Sequence, residues 1–162
     1  MSLQIISTTS SNIIIKPLDT FTVFREKRSI IFHELLLSLS SDNAIITIKV
    51  KVESKEYVFS FTPKWLLQNG LGLTPSQVSQ NPDGSYRDEK GIAEHYLPYL
   101  LRYRPSTSVP DITGDTLSRF VVGFSPLVSP TYSETLITIY NPLNSNITLY
   151  GSYIVYELAK NV

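Results

Sequence analysis

The chain has 162 residues, 42% of them hydrophobic, and Lys+Arg and Asp+Glu each count 14, so the formal net charge is zero. This length suits one domain with a core of its own, and a neutral chain has no surplus of Lys and Arg for binding nucleic acid irrespective of sequence. With no cysteine, it cannot form disulfides, zinc–thiolate sites or a cysteine nucleophile.

Residues 3–7 and 12–16 read as short strands split by a Ser/Thr loop, and Pro17-Leu18-Asp19 as a turn. Thr20 to Phe24 alternates as a strand should, and Arg25-Glu26-Lys27-Arg28 is a charged turn. Three segments between Ile30 and Thr62 then keep their apolar positions in phase. Ala44, Ile46, Ile48, Val50 and Val52 alternate with Thr47, Lys49, Lys51 and Glu53, the period of a strand with one wet face. A turn at Glu53-Ser54 pairs Val50 with Tyr57, Ile48 with Phe59 and Ile46 with Phe61, all on one buried face. A turn at Ser41-Asp42 would likewise pair Leu39 with Ala44, Leu37 with Ile46 and Leu35 with Ile48, making one antiparallel meander. Phe32, Leu35, Leu36 and Leu39 also sit at helical spacing; continuous parity favours a strand.

Pro63 to Gly70 has the marks of a short helix, with Thr62 as cap, Pro63 in the first position and Gly70 at the exit. A Pro-, Gly- and Asn-rich stretch follows, with a turn at Asn81-Pro82-Asp83-Gly84, a broken helix expected over Asp88–Arg102 and a loop over Pro105–Asp115. Strand patterning returns at Leu117–Phe124, Thr135–Tyr140 and Ile147–Leu158, the last two joined by the polar turn 141–146. Parity puts Ile147, Leu149, Tyr153 and Val155 on one face of the final strand and Thr148, Tyr150, Ser152 and Tyr156, with Ile154, on the other. A tyrosine-lined second face suggests contact with another sheet, another subunit or a ligand. The expected architecture is a single all-β domain over 1–162: a jelly-roll-like antiparallel β-sandwich of about eight strands, with a loop-rich, partly helical insertion at 70–115.

No apolar run approaches the ~20 residues of a membrane span. Met1-Ser2-Leu3-Gln4 lacks the basic start and apolar stretch of a signal peptide, so neither is expected. The charged fraction is 17%, against roughly 25% in an average domain, which limits self-repulsion and favours association with like copies.

Candidate chemistry is sparse. His33 and His95 match no metal-ligand spacing, and His33 reads as a hydrogen-bonded, partly buried imidazole. A small hydrolase would need one of them in a cleft beside a serine or carboxylate; no Gly-x-Ser-x-Gly elbow, dinucleotide fingerprint or P-loop is present. Asp111, Thr113 and Asp115 alternate like calcium ligands but lack the glycine and distal Glu of a calcium loop. Arg25, Lys27, Arg28 and Arg102-Tyr103-Arg104 form small basic patches, read as solvated faces or subunit salt bridges. Trp65, Tyr86, Tyr96, Tyr99 and Tyr103 are the candidate interface or glycan contacts, with packing of Trp65 under the sheet as the plainer reading. Asn146-Ile147-Thr148 is a candidate N-glycosylation acceptor. No metal, cofactor or catalytic residue is expected.

Phe32-His33-Glu34-Leu35-Leu36-Leu37 through Phe61 resembles the paired long strands of jelly-roll modules in virus particles, and Ile139-Tyr140-Asn141-Pro142 through Gly151 resembles their closing hairpin. The Ile/Tyr/Ser/Asn-rich, cysteine-free composition is similar to that of structural proteins of viruses infecting thermophilic archaea. The resemblance is one of pattern and composition over about half the chain. It implies a capsid, penton, turret or decoration subunit, assembled in the host cytoplasm into a virion, with copies of itself and other virion proteins as partners. A glycan-binding or receptor-attachment module is the alternative on the same fold.

Overall fold

The computed structural model describes residues 3–7, 12–69, 71, 98–102 and 119–159. They form β1 (Leu3–Ser7), β2 (Ile13–Ile15), β3 (Thr20–Glu26), β4 (Ile30–Leu39), β5 (Ile45–Val52), β6 (Lys55–Phe61), α1 (Pro63–Gln68), β7 (Tyr99–Arg102), β8 (Phe120–Phe124), β9 (Thr131–Tyr132), β10 (Glu134–Tyr140) and β11 (Ile147–Leu158). Every strand pair is antiparallel. One sheet runs β1-β11-β4-β8-β7, with β2 beside β11 and β9 beside β4; the other runs β3-β10-β5-β6. The pairings β2–β11, β3–β10, β4–β8 and β5–β6 nest inside one another, as if one long hairpin had been rolled up. That is the jelly-roll arrangement. Eight strands make the frame; β1, β7 and β9 bring the described strands to eleven.

Alternation explains the core. Leu35, Leu37 and Leu39 of β4, Ile147, Leu149 and Ile154 of β11 and Val122 of β8 are buried on one sheet. Ile46 and Ile48 of β5, Ile137 and Ile139 of β10 and Phe24 of β3 are buried on the other, and all belong to one apolar cluster. Burying each such side chain contributes about 1.5–3 kcal/mol.

The hairpin at Glu53-Ser54 has the register its parity implies: Val50 opposite Tyr57, Ile48 opposite Phe59, Ile46 opposite Phe61. The segment before it is a strand, but the meander ends there. β4 pairs with β11 and β8, not with β5, and residues 40–44 carry the chain from one sheet to the other. Leu35–Leu39 and Ala44–Ile48 share a phase because both point into the core from opposite walls. The crossover is fastened at its start and its middle: Ser40 N–H donates to Thr148 O (2.9 Å), and Lys64 N–H to Asp42 O (3.0 Å).

Two bulges change the expected faces. Leu149 lies opposite Leu39 but Gly151 opposite Ser38, so Tyr150 is an extra residue and the inward set of β11 switches from odd to even. Ser152, Ile154 and Tyr156 are therefore buried, while Tyr153 and Val155 turn outward. On β4, Val155 faces Glu34 and Tyr156 faces Phe32, leaving His33 as the extra residue. Of the helix expected over Asp88–Arg102, Tyr99–Arg102 is instead strand β7, and residues 88–97 lie outside the described residues. The turn at 81–84 and the loop at 105–115 lie outside the described residues.

Candidate functional site

An open apolar surface lies on β6, at the edge of the four-stranded sheet among the described strands. A strand with one buried face should alternate, but Lys55 to Ser60 are all exposed and only Phe61 is buried. Tyr57, Val58 and Phe59 are 53%, 59% and 39% exposed. Tyr57 and Phe59, expected on the buried face, instead border an open recess of about 260 Å³ between the sheets, whose other walls include Ile48, Val50, Phe124 and Tyr132. Phe59 is not isolated: its ring lies 5.6 Å from that of Phe61, tilted by 58°. The helix after β6 is capped as its sequence implies, Trp65 N–H donating to Thr62 Oγ1 at 3.0 Å. Its buried residues are Pro63 and Leu66, and Trp65 is turned outward at 45% exposure rather than packed under the sheet.

The outer face of the same sheet is wet and charged. Lys51 Nζ lies 2.9 Å from Glu134 Oε2 across β5 and β10, and Lys49 Nζ lies 3.3 Å from Glu56 Oε1 across β5 and β6. The hydrogen bond and the charge of Glu134 raise the Lys51 pKa, and Lys51 lowers that of Glu134. Both pairs are open to solvent, so they set cross-strand register more than they stabilise it. Of the basic turn, Arg28 pairs with Glu26, while Arg25 and Lys27 flank the Lys51–Glu134 pair.

The bulge on β4 turns His33 toward a serine and a carboxylate. Its Nδ1 is 2.9 Å from Ser129 Oγ and its Nε2 is 2.7 Å from Glu157 Oε2. The imidazole is partly buried and doubly hydrogen-bonded, linking the 125–130 loop to the end of β11. The same chain of contacts has the residue types of a hydrolytic triad.

Among the remaining candidates, Tyr99 is buried at 5% exposure, its ring over Gly123 and its hydroxyl 3.3 Å from Ser125 Oγ, so the fold encloses it. Asn146 is exposed at the end of the 141–146 turn, immediately before β11. Tyr86, Tyr96, Tyr103, His95, Arg104 and the Asp111–Asp115 stretch lie outside the described residues. No grouping of three or more metal-ligating side chains occurs among the described residues, and no described helix is long and apolar enough to cross a membrane. Tyr150, the bulge residue of β11, lies under the Arg119 guanidinium at 4.4 Å, giving the outward tyrosine face a cation–π contact.

Sequence reasoning missed the β6 edge. Inward parity looks the same whether the far side is closed or open. The available signal was Tyr57-Val58-Phe59, three apolar residues in a row where one face should be polar. The chain matches no protein-family model, and no curated protein matches it in sequence.

Proposed function

We propose that this chain is a structural subunit of a virus particle, of capsid, penton, turret or decoration type, that works by packing against copies of itself and neighbouring virion proteins. The observation that carries the self-association is the β6 edge. It is seven residues long, continuous in register, and exposes Tyr57, Val58 and Phe59 along an edge that no other described strand pairs. An edge of that kind is a template for another strand, and proteins that stay monomeric blunt such edges. The jelly-roll order, which viral shell domains share with lectin domains, and the zero net charge support the same reading. The viral assignment rests on the resemblance of strand pattern and composition.

The test is solution mass by light scattering across concentration and from acidic to neutral pH. A closed oligomer of defined size is expected; a strict monomer at high concentration would count against self-association. Trp65, exposed at 45%, favours glycan binding as a second reading. A glycan screen in which Trp65→Ala abolishes a hit would establish that alternative. In the structural reading the Ser129–His33–Glu157 chain is a brace, and a serine-reactive fluorophosphonate leaves Ser129 unlabelled.

A further inference from the structure

We infer that β6 pairs with β6 of a second copy about a two-fold axis at Val58, joining the two four-stranded sheets into one continuous sheet. The inference rests on the self-association reading and specifies its contact.

The backbone sets the available registers. Val52 and Lys55 close a two-residue turn, and the closing pair of such a hairpin exchanges both of its hydrogen bonds. Hydrogen-bonded pairs then alternate, so Lys55, Tyr57, Phe59 and Phe61 direct their N–H and C=O groups to β5. The N–H and C=O of Glu56, Val58 and Ser60 point the other way, off the sheet. A two-fold axis at Val58 sets Val58 against Val58 and Glu56 against Ser60, the outward pairs, giving about six new backbone hydrogen bonds. It also sets Tyr57 of each copy against Phe59 of the other. Aromatic and β-branched pairs are the favourable cross-strand combinations, and in this register every exposed apolar residue of β6 meets another. Lys55 is carried to Phe61 and Glu56 to Ser60, so no like charges are opposed.

The other edge of the same sheet is managed differently. Phe24 and Thr22 of β3 face Ile137 and Thr138 of β10, leaving Val23 as an extra residue that breaks the edge, whereas β6 runs without a bulge or a proline. The contact is isologous and closes on itself, so it makes a dimer and not a fibre. With 14 positive and 14 negative groups per chain, no net charge opposes the approach.

The absence of native cysteine makes the register directly testable. Val58→Cys should form a disulfide-linked dimer on mild oxidation, because the Cα–Cα spacing of a hydrogen-bonded pair, about 5.5 Å, lies within disulfide range. Glu56→Cys alone should not cross-link, whereas Glu56→Cys mixed with Ser60→Cys should. Val58→Pro removes an outward N–H that β5 does not use, and should halve the smallest oligomeric mass while leaving the circular dichroism unchanged. If wild-type protein associates but Val58→Cys stays uncross-linked, the β6 contact is overturned while self-association stands. If wild-type protein is monomeric throughout, both fall. Self-cross-linking by Glu56→Cys would overturn the register. Should Val58→Pro fail to fold, the cysteine pattern decides alone.

Discussion

Asn141 offers the sharpest test of what holds one end of the sandwich together. It is fully buried between β10 and the 141–146 turn. Its Nδ2 donates to Ile15 O at 2.9 Å and to Ser145 O at 2.8 Å, and its Oδ1 accepts from Leu143 N–H at 2.9 Å. Its backbone N–H donates to Asp19 O and its carbonyl accepts from Leu18 N–H, so one residue joins β2, the 16–19 turn and the closing hairpin. In Asn141→Ala the exposed Ser145 carbonyl regains water, at a cost of about 1 kcal/mol. The Leu143 N–H loses a similar amount, and the Ile15 carbonyl, beside a side chain only 2% exposed, is stranded at about 1–3 kcal/mol. The total is about 3–5 kcal/mol, or about 6–20 °C in Tm for a domain of this size. Asn141→Asp keeps the shape and the Leu143 bond but turns a carboxylate oxygen toward two carbonyls. It should cost more than alanine at pH 7 and recover partly in acid, where the protonated carboxyl can donate. Urea or thermal denaturation of both variants reads these values. A loss below 1 kcal/mol for Asn141→Ala, or an aspartate as stable as wild type, would refute the reasoning.

Three further outcomes follow from local geometry. Asp19 N–H donates to Lys16 O at 3.1 Å across Pro17-Leu18, and Leu18 has φ 63° while 65% exposed, so a leucine occupies the turn position that favours Gly or Asn. Relief of about 1–2 kcal/mol of left-handed strain, offset by about 0.4–1 kcal/mol of glycine's unfolded-state entropy, makes Leu18→Gly more stable by about 0.5–1 kcal/mol in chemical denaturation. A Cβ on Gly123 would meet the Tyr99 ring at 2.9 Å, and that ring is buried, so Gly123→Ala should cost about 1–3 kcal/mol by the same measurement. Burial pushes the Tyr132 hydroxyl up to about 12. The folded state therefore keeps this proton where the unfolded chain has released it. The associated stability is intact below pH 10 and lost as pH rises from about 10 to 12, by about 2 kcal/mol. Tyr132→Phe should flatten that part of an alkaline unfolding curve. Tyr153, raised to about 12 chiefly by desolvation and then by its hydrogen bond to Glu34, continues to contribute.

The legible parts of this fold were those fixed by neighbouring residues. Ile46, Ile48 and Val50 found Phe61, Phe59 and Tyr57 because a two-residue turn leaves one register open. Thr62 and Pro63 marked the helix start through chemistry confined to one turn. Parity records only that a side chain points inward, and Leu35–Leu39 point inward from the opposite sheet, so their apparent partnership with β5 was an accident of phase. Tyr150 and His33 changed which residues face the core, and nothing local announces an inserted residue when both neighbours are apolar or mixed. For the candidate surface, the apolar character of β6 was legible and its openness was not, since exposure depends on what the rest of the chain brings to that edge.

The nested pairing also dictates a timetable. β11 lies between β1 and β4 near the middle of its sheet, yet it follows in sequence every strand it pairs with. During synthesis at about 5–20 residues per second, β4 waits roughly ten seconds for the backbone hydrogen bonds of that partner, whereas the β5–β6 hairpin can close as soon as it is made. Pairing Leu3 with Glu157 spans nearly the whole chain, a contact of high order that slows folding to milliseconds or longer. The nascent chain thus spends its vulnerable period with an apolar strand waiting and a sticky hairpin formed, which makes crowding by sister chains the hazard of its birth.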